Sequence, residues 1–300
     1  MREQEFAYTV RQIVDTAPVK TVPQSDVLVI SQVRSTDVLM YLLAIKSLLA
    51  QLDHVSVLVV DDGLPSQDRE LIASHVRGVT FRSVTAVDTG KCPQGGTWER
   101  LLTICDMSFD RYVIQLDSDV LTLGDITTVG DCIQNGRSFL LGTAMTPDFV
   151  SAEHAADCAK RFLKGAGDHV QIAAEAVLDE IGDQKQTSYI RGCSAFAGFA
   201  KGAVNRQSVE KFSVKLENRI GRKWHEWGSE QVASNFAISN LAEPLALPQS
   251  KYVNFGPNIR WREKSLIHFI GTYRFSGGVY SRLAKQQILK FPKGGRGASM

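Results

Sequence analysis

Short apolar segments alternate with segments of helical periodicity in the first half of the chain, and this alternation limits the fold more than any other feature. The apolar segments are residues 26–31, 55–60, 79–84 and 112–116, and the helical segments are residues 37–52, 67–75 and 98–107. Apolar runs of this length are typical of strands buried on both faces, which predicts βαβ units and a mostly parallel sheet. In such sheets ligands bind beside the carboxyl ends of the strands.

The second half of the chain is less regular. Helical periodicity marks residues 151–163, 170–181, 204–216 and 230–240, and short strands are predicted at 139–141, 195–199 and 266–270. No repeat or low-complexity stretch separates the halves, so the sequence predicts one composite domain over residues 26–278. An N-terminal extension, residues 1–25, precedes it, and a basic C-terminal helix and tail, residues 279–300, follows it.

Composition and charge exclude several classes of protein. A hydrophobic fraction of 44% with 22% charged residues is globular and excludes disordered or collagen-like chains. The longest apolar run, residues 38–45, is shorter than the roughly 20 residues that a membrane-spanning helix needs. Residues 1–24 contain no apolar core of a signal peptide, and the five cysteines form no Cys-x-x-Cys pair, which favours free thiols and a cytoplasmic protein. The net charge of +2 gives no reason to expect a nucleic-acid partner.

Two carboxylates follow the apolar segment 112–116, in the tripeptide Asp117-Ser118-Asp119. Carboxylates at positions i and i+2 just past a strand can turn toward one point, and their hard oxygens suit Mg²⁺ or Mn²⁺, which would neutralise a bound diphosphate. The same residue types also favour plain turns. Aspartyl-phosphate phosphatases carry a similar signature but expect Thr or Val four residues after the first Asp, where this chain has Leu121.

A second pair of carboxylates, Asp61 and Asp62, closes the segment 55–60 and precedes Gly63. These side chains could accept hydrogen bonds from a base or a ribose, or they could serve only as a turn. Neither the Gly-x-Gly-x-x-Gly motif of dinucleotide-binding proteins nor the phosphate-binding P-loop motif occurs in the chain. Dinucleotide oxidoreductases and P-loop phosphotransferases are therefore disfavoured.

Near the C-terminus, His268, Gly271 and Arg274 are spaced as in the His-x-x-Gly-x-x-Lys-Pro-Trp motif of family 8 glycosyltransferases, which the chain resembles. Arg274 stands in place of Lys, and Phe275 stands in place of Pro. Further resemblance, in the family's order, lies in the Asp-x-Asp of residues 117–119 and in Arg100 on the preceding helix. Residues 230–235 resemble the motif Asp-Gln-x-x-x-Asn, with Glu230 in place of Asp. The resemblance covers approximately residues 26–275.

The resemblance implies a GT-A-like fold, with a doubly wound, mostly parallel sheet flanked by helices and a helical acceptor-side region. It implies a retaining glycosyltransferase that uses Mn²⁺ or Mg²⁺ to move a hexose from a nucleotide diphosphate sugar, most simply a UDP-sugar, to a hydroxyl of a glycan or glycolipid. The implied metal ligands are Asp117, Asp119 and His268, and the implied donor-binding residues are Arg100, Gly271 and Arg274. Asp61 and Asp62, proposed above from their strand-end position, complete the predicted donor-binding residues. Gln231 would lie near the reacting face, and Glu230 would be the general base if the enzyme inverts instead.

Two other functions remain open on the sequence alone. A nucleotidyltransferase that makes a nucleotide sugar shares the carboxylates at strand ends, but it needs a Gly-rich basic loop after the first strand, where residues 31–36 offer only Arg34. The second alternative is a non-catalytic protein that binds nucleotide sugars. Enzymatic turnover of the donor distinguishes it from a transferase.

The segment 281–300 carries five cations and no acidic residue. The cations are Arg282, Lys285, Lys290, Lys293 and Arg296, and the apolar residues between them are Leu283, Ile288, Leu289 and Phe291. Such a segment can lie on an anionic membrane, which would place the enzyme at the inner face of the membrane with a glycolipid acceptor. The alternative is a last helix packed on the domain and followed by a solvated end.

Overall fold

The computed structural model describes residues 2–143, 148–165, 167–181 and 187–294. The α-helices are α1 (Arg2–Val10), α2 (Val38–Leu49), α3 (Ser66–His75), α4 (Trp98–Met107), α5 (Thr127–Gln134), α6 (Ala152–Lys160), α7 (Val170–Glu175), α8 (Arg206–Ile220), α9 (Ser229–Ser239) and α10 (Val279–Ile288). The strands are β1 (Val19–Lys20), β2 (Val27–Val33), β3 (Ser56–Asp61), β4 (Val76–Arg77), β5 (Thr80–Ser83), β6 (Tyr112–Leu116), β7 (Val120–Thr122), β8 (Phe139–Leu141), β9 (Val150–Ser151), β10 (Ser188–Tyr189), β11 (Cys193–Phe199), β12 (Leu245–Ala246), β13 (Tyr252–Asn254) and β14 (Leu266–His268).

The main sheet has seven strands in the order β12-β8-β11-β6-β2-β3-β5. Strand β3 pairs in parallel with β2 and with β5, and β12 pairs in parallel with β8. Strand β11 runs antiparallel to β8, with an irregularity in register between Cys193 and Ala197. The predicted α/β class, with a mostly parallel sheet and helices between the strands, is therefore confirmed.

Most predicted elements lie within a few residues of the observed ones, and the differences have local causes. The helix predicted over residues 170–181 stops at Glu175, and a separate 3₁₀ turn, Leu178–Glu180, follows it. The strand predicted over residues 266–270 ends at His268, because the Ile270 N–H turns back to the His268 carbonyl. Helices α1 and α5 were not predicted, since α1 is largely polar and buries only Phe6, Thr9 and Val10.

The chain divides into two compact units. Unit 1 comprises Met1–Val84, Gln115–Gly130 and Ser250–Met300, and unit 2 comprises Thr85–Ile114 and Asp131–Gln249. Unit 1 contains a small three-stranded sheet in the order β13-β14-β7, in which β14 is parallel to β13 and antiparallel to β7. Its register places His268 opposite Val120 on one side and Asn254 on the other.

The N-terminal and C-terminal helices of unit 1 pack on each other. Phe6 of α1 stacks on Tyr280 of α10 with ring centroids 4.1 Å apart, and Tyr280 stacks on Phe269 at 4.0 Å. Leu283 and Ile288 are buried, whereas Leu289 is 72% exposed. Residues 279–288 thus form the packed helix of the second alternative, and the end of the predicted tail, residues 295–300, lies outside the described residues.

Aromatic packing fills unit 2 around β11, which is buried along its whole length. Trp98 meets the Trp224 ring edge-on at 5.7 Å, and Phe212 stacks on Phe236 at 4.0 Å. A Cβ atom at Gly198 would clash with the Phe139 ring, so β11 needs glycine there.

The five cysteines are free thiols, as the sequence predicts. Within the described ranges, no helix combines the length and the apolar character that crossing a membrane requires.

A fully buried lysine joins three segments of unit 1. Lys46 of α2 donates hydrogen bonds to the Thr16 hydroxyl at 2.7 Å and the Ala17 carbonyl at 2.9 Å, and its Nζ lies 2.9 Å from Nδ1 of His75. Burial lowers the pKa of Lys46 to about 8. Burial and the Lys46 charge lower the pKa of His75, which leaves the imidazole neutral and able to accept from the ammonium.

This lysine should make the stability of the protein depend on pH. Because the pKa of Lys46 falls from 10.5 to about 8 on folding, the unfolded chain binds the extra proton between these values. The free energy of unfolding of the wild type, relative to Lys46→Met, should therefore rise by about 3 kcal/mol from pH 8 to 10.5. Urea titrations across this range measure the difference. The exposed Lys290→Met is the control, and an unchanged difference between wild type and Lys46→Met would contradict the prediction.

Candidate functional site

The three predicted metal ligands come together at the end of β6. Asp117 and Asp119 lie in the short turn between β6 and β7, and His268 is the last residue of β14, which pairs with β7. One ligand atom from each of the three residues lies within 4.8 Å of the other two. Asp119 and His268 are buried, and Asp117 is half-buried. A strand pairing of three residues thus brings a histidine from the far end of the chain to the predicted carboxylates.

Asp119 contacts two cationic or potentially cationic side chains. Its Oδ1 lies 3.3 Å from Nε2 of His268, and its Oδ2 lies 2.6 Å from a terminal nitrogen of the Arg274 guanidinium. Burial alone would raise the pKa of Asp119, but the charges and hydrogen bonds of His268 and Arg274 outweigh burial and hold this pKa below its usual value. Asp119 is therefore a carboxylate at neutral pH.

The second nitrogen of His268 is fixed by an amide. Nδ1 of His268 lies 2.7 Å from Oδ1 of Asn254 on the neighbouring strand, so Nδ1 carries the proton and donates it to this acceptor. The hydrogen bond between Nε2 and Asp119 needs a proton on Nε2, and a cation bound there would replace this proton and take the Nε2 lone pair. A lone pair and a carboxylate that face each other suit a cation between them, and this donor set of oxygens with one imidazole fits Mn²⁺ or Mg²⁺.

After His268 the chain forms a 3₁₀ turn, Gly271–Tyr273, and Arg274 directly follows this turn. Nε of Arg274 donates to the Phe269 carbonyl at 3.2 Å, which holds the guanidinium against Asp119. Gly271 is exposed, and a Cβ atom there would meet nothing within 4 Å. The packing of the chain itself therefore does not require glycine at this position.

Asp61 and Asp62, the predicted nucleotide-binding pair, lie at the end of β3. Asp61 is buried, accepts from the Leu64 N–H at 2.7 Å and forms an ion pair with Arg69 at 2.6 Å. Asp62 is half-buried and accepts from the Gln32 side chain at 3.1 Å. Asp61 thus stabilises the turn after β3, and Asp62 is the more accessible of the two.

In unit 2, Arg100 of α4 and Glu230 of α9 form a buried ion pair. The guanidinium lies 3.6 Å from Oε2 of Glu230, and each side chain is at most 4% exposed. The same oxygen accepts hydrogen bonds from the hydroxyls of Thr97, at 3.0 Å, and Ser194, at 3.3 Å. Thr97 adopts φ +73°, a left-handed conformation that costs a β-branched residue ~1–3 kcal/mol, directly before α4. The sequence predicted Arg100 and Glu230 separately and did not predict that they pair.

Gln231 and Asn235 share one face of α9, as their spacing predicts, and both contact the entry to β11. Oε1 of Gln231 accepts from the Ser194 N–H at 3.2 Å, and the Asn235 amide donates to the Gly192 carbonyl at 3.0 Å. A Cβ atom at Gly192 would approach Leu140 to 2.5 Å and the Asn235 amide to 2.9 Å, so a larger residue would displace these side chains. Asn235 is therefore a structural residue of this turn.

The structure thus forms two groups from the predicted site residues. Unit 1 contains the first group, Asp117, Asp119, His268 and Arg274, and unit 2 contains the second, Arg100, Glu230 and Gln231. Three further residues, Asn254, Thr97 and Ser194, hold members of these groups by hydrogen bonds. Thr97 and Asn254 lie in stretches of the sequence that resemble the family, Thr97 before Arg100 and Asn254 after Leu247 and Pro248, but the sequence did not predict these contacts.

Comparison with solved structures identifies the fold. The chain superposes on an active-site mutant of LgtC with a TM-score of 0.54 and 10% identity, over 90% of this chain and 98% of LgtC. It superposes on the WbbM bifunctional glycosyltransferase with a TM-score of 0.51 and 14% identity, over 92% of this chain. The chain spans about half of WbbM, 51% of its length. No protein-family model and no curated protein matches the sequence. The chain therefore has the GT-A fold of these glycosyltransferases, as the sequence predicts.

Proposed function

We propose that this protein is a metal-dependent glycosyltransferase that moves a hexose from a nucleotide diphosphate sugar, a UDP-sugar in the simplest case, to a hydroxyl of a glycan or glycolipid. The observation that carries the proposal is the convergence of Asp117, Asp119 and His268 at the end of β6 in a chain with the GT-A fold. Such a strand-end position is where α/β sheets bind their ligands. Residues 26–278 are the proposed catalytic domain.

Asp117, Asp119 and His268 would hold Mn²⁺ or Mg²⁺, which when bound neutralises charge on the leaving diphosphate. Asn254 fixes the imidazole so that Nε2 remains a ligand. The Arg274 guanidinium, 2.6 Å from Asp119, brings a second positive charge to the same place. Its planar fork can bind two phosphate oxygens at once, a role that the resemblance assigns to lysine. Gly271 would leave room for the diphosphate, and Asp62 would be a ligand for the nucleoside.

We further propose that the reaction retains the anomeric configuration. Glu230, the general base of an inverting alternative, is 2% exposed and accepts hydrogen bonds from Thr97 and Ser194 beside the Arg100 guanidinium. A general base must reach the proton of the acceptor, and it must be free to take that proton. The burial and the ion pair of Glu230 therefore favour Gln231, which is half-buried, as the residue next to the reacting sugar.

The proposed location is the cytoplasm. Arg282 and Lys285 are exposed on α10 and remain a candidate contact with the anionic inner face of a membrane. Since Leu283 and Ile288 are buried, this contact would be mainly electrostatic and sensitive to salt.

A thermal-shift panel of nucleotide diphosphate sugars, each with and without Mn²⁺, tests the proposed function. The true donor at 100 times its Kd should stabilise the protein by about 2.7 kcal/mol, which corresponds to a rise in Tm of roughly 4 °C for a chain of this length. The rise should require Mn²⁺ and disappear with EDTA, and the same donor should be hydrolysed or transferred. A panel without a stabilising donor would contradict the proposal. Release of pyrophosphate from UTP and a sugar phosphate would show a nucleotidyltransferase instead.

A further inference from the structure

A chain of side-chain hydrogen bonds in unit 2 leads from a buried ion pair to Gln231. We propose that Gln171 and Glu175 of α7 are positioning residues, which fix the orientation of the Gln231 amide for the transfer reaction. This inference rests on the proposed function, because it assigns the network to the reaction of that site. Neither residue belongs to a motif, and each is more than fifty positions from Gln231 in the sequence.

The chain begins at Glu175, which is 2% exposed. Nε of Arg191 donates to its Oε2 at 2.8 Å, and a second guanidinium nitrogen contacts the same oxygen. The Tyr189 hydroxyl donates to Oε1 at 2.8 Å. Burial alone would lower the pKa of Arg191, but its hydrogen bond to Glu175 and the charge of that carboxylate outweigh burial and raise the pKa. Glu175 is thus a fixed carboxylate, which can only accept hydrogen bonds.

Gln171 lies one turn before Glu175 on α7, and its amide forms hydrogen bonds with both Glu175 and Gln231. Its Nε2 donates to Oε1 of Glu175 at 3.1 Å, so its Oε1 is left to accept from Nε2 of Gln231, at 3.3 Å. At the other end, Oε1 of Gln231 accepts from the Ser194 backbone N–H at 3.2 Å, and a backbone N–H can only donate. One end of the network only accepts and the other only donates, so both ends select the same orientation of the Gln231 amide.

The orientation matters because the two ends of an amide have opposite chemistry. A flip of the Gln231 amide would exchange a carbonyl oxygen, which accepts hydrogen bonds and can stabilise positive charge, for an NH₂ group that only donates. The transition state of glycosyl transfer carries positive charge on the sugar ring, so the two orientations differ in how well they stabilise it. Without Gln171, among the residues that the structure describes, the hydrogen bond from Ser194 would be left to hold the amide in one orientation.

Gln171→Met tests the inference, because Met keeps the length of the side chain and removes both polar groups. We expect kcat to fall roughly five- to tenfold, the effect of losing one positioning hydrogen bond, while the KM for the donor and the Mn²⁺-dependent rise in Tm stay unchanged. The exposed Gln207→Met on α8 is the matched control and should leave kcat unchanged. In a Gln231→Ala background, Gln171→Met should cause no further loss, because its effect acts through the Gln231 amide.

A second measurement does not depend on activity. In protein labelled with ¹⁵N-glutamine, Gln171→Met should shift the side-chain amide signal of Gln231 and broaden or split it, while Gln207→Met should not. An unshifted amide signal, or an equal loss of kcat in the wild-type and Gln231→Ala backgrounds, would overturn the inference. A wild-type protein that turns over no nucleotide sugar would contradict the proposed function and the catalytic role assigned to the network. The amide spectrum would then report the hydrogen bonds alone.

Discussion

Replacing Asp119 by Asn is expected to lower kcat/KM for the donor by about 10²- to 10³-fold and to abolish its dependence on Mn²⁺. Asn keeps the shape of the side chain but removes the negative charge that would hold the metal beside His268. The loss of one group that stabilises developing charge typically costs about 3–4 kcal/mol of transition-state stabilisation. Steady-state kinetics at a series of Mn²⁺ concentrations measure the effect.

Two controls separate loss of the metal site from damage to the fold. Asp53→Asn, at an exposed position of unit 1, should behave like the wild type. Binding of Mn²⁺ without nucleotide, followed by the electron paramagnetic resonance of the free ion, should weaken in Asp119→Asn and in His268→Ala alike. If Asp119→Asn is folded and keeps wild-type turnover that depends on Mn²⁺, the proposed ligand set is wrong.

The first half of the fold could be predicted closely because its signals are local. Helix α4 and strand β6 have the predicted bounds, since each combines a clear apolar period with a turn at both ends. The sequence therefore predicted that a buried strand ends at residue 116 and that Asp117 and Asp119 lie at the carboxyl end of this strand. Only the resemblance to family 8 connected these carboxylates with His268, because no local property relates residues so far apart in the chain.

The hydrogen bonds and ion pairs that orient the site residues could not be predicted, because they depend on strand register and tertiary packing. Asn254 reaches His268 only through the parallel pairing of β13 with β14, and the sequence of neither strand specifies this pairing. Arg274 was expected to bind a phosphate, and in the structure its guanidinium forms an ion pair with Asp119. Likewise the polar face of α7 gives no sign that Gln171 meets Gln231, since half-buried amides are common on helices.

The pairing of Arg100 with Glu230 leads to the largest expected change in stability. Arg100→Met should lower the free energy of unfolding by about 3 kcal/mol, because it leaves the Glu230 charge in a place that is 3% exposed. Arg111→Met in the same unit is the matched control. Its partner Asp110 is exposed, so removing this ion pair should cost much less than removing Arg100.

The double variant Arg100→Met with Glu230→Leu should recover part of this loss, because it removes both buried charges together. Recovery should be incomplete, since the hydroxyls of Thr97 and Ser194 would lose their acceptor at a cost of about 1 kcal/mol each. Urea unfolding of the wild type, Arg100→Met, Glu230→Leu and the double variant measures the coupling between the two residues. Additive losses in the double variant would show that the pair is not coupled. A raised KM for the donor in Arg100→Met, with the free energy of unfolding unchanged, would instead favour the phosphate-binding role that the family resemblance implies.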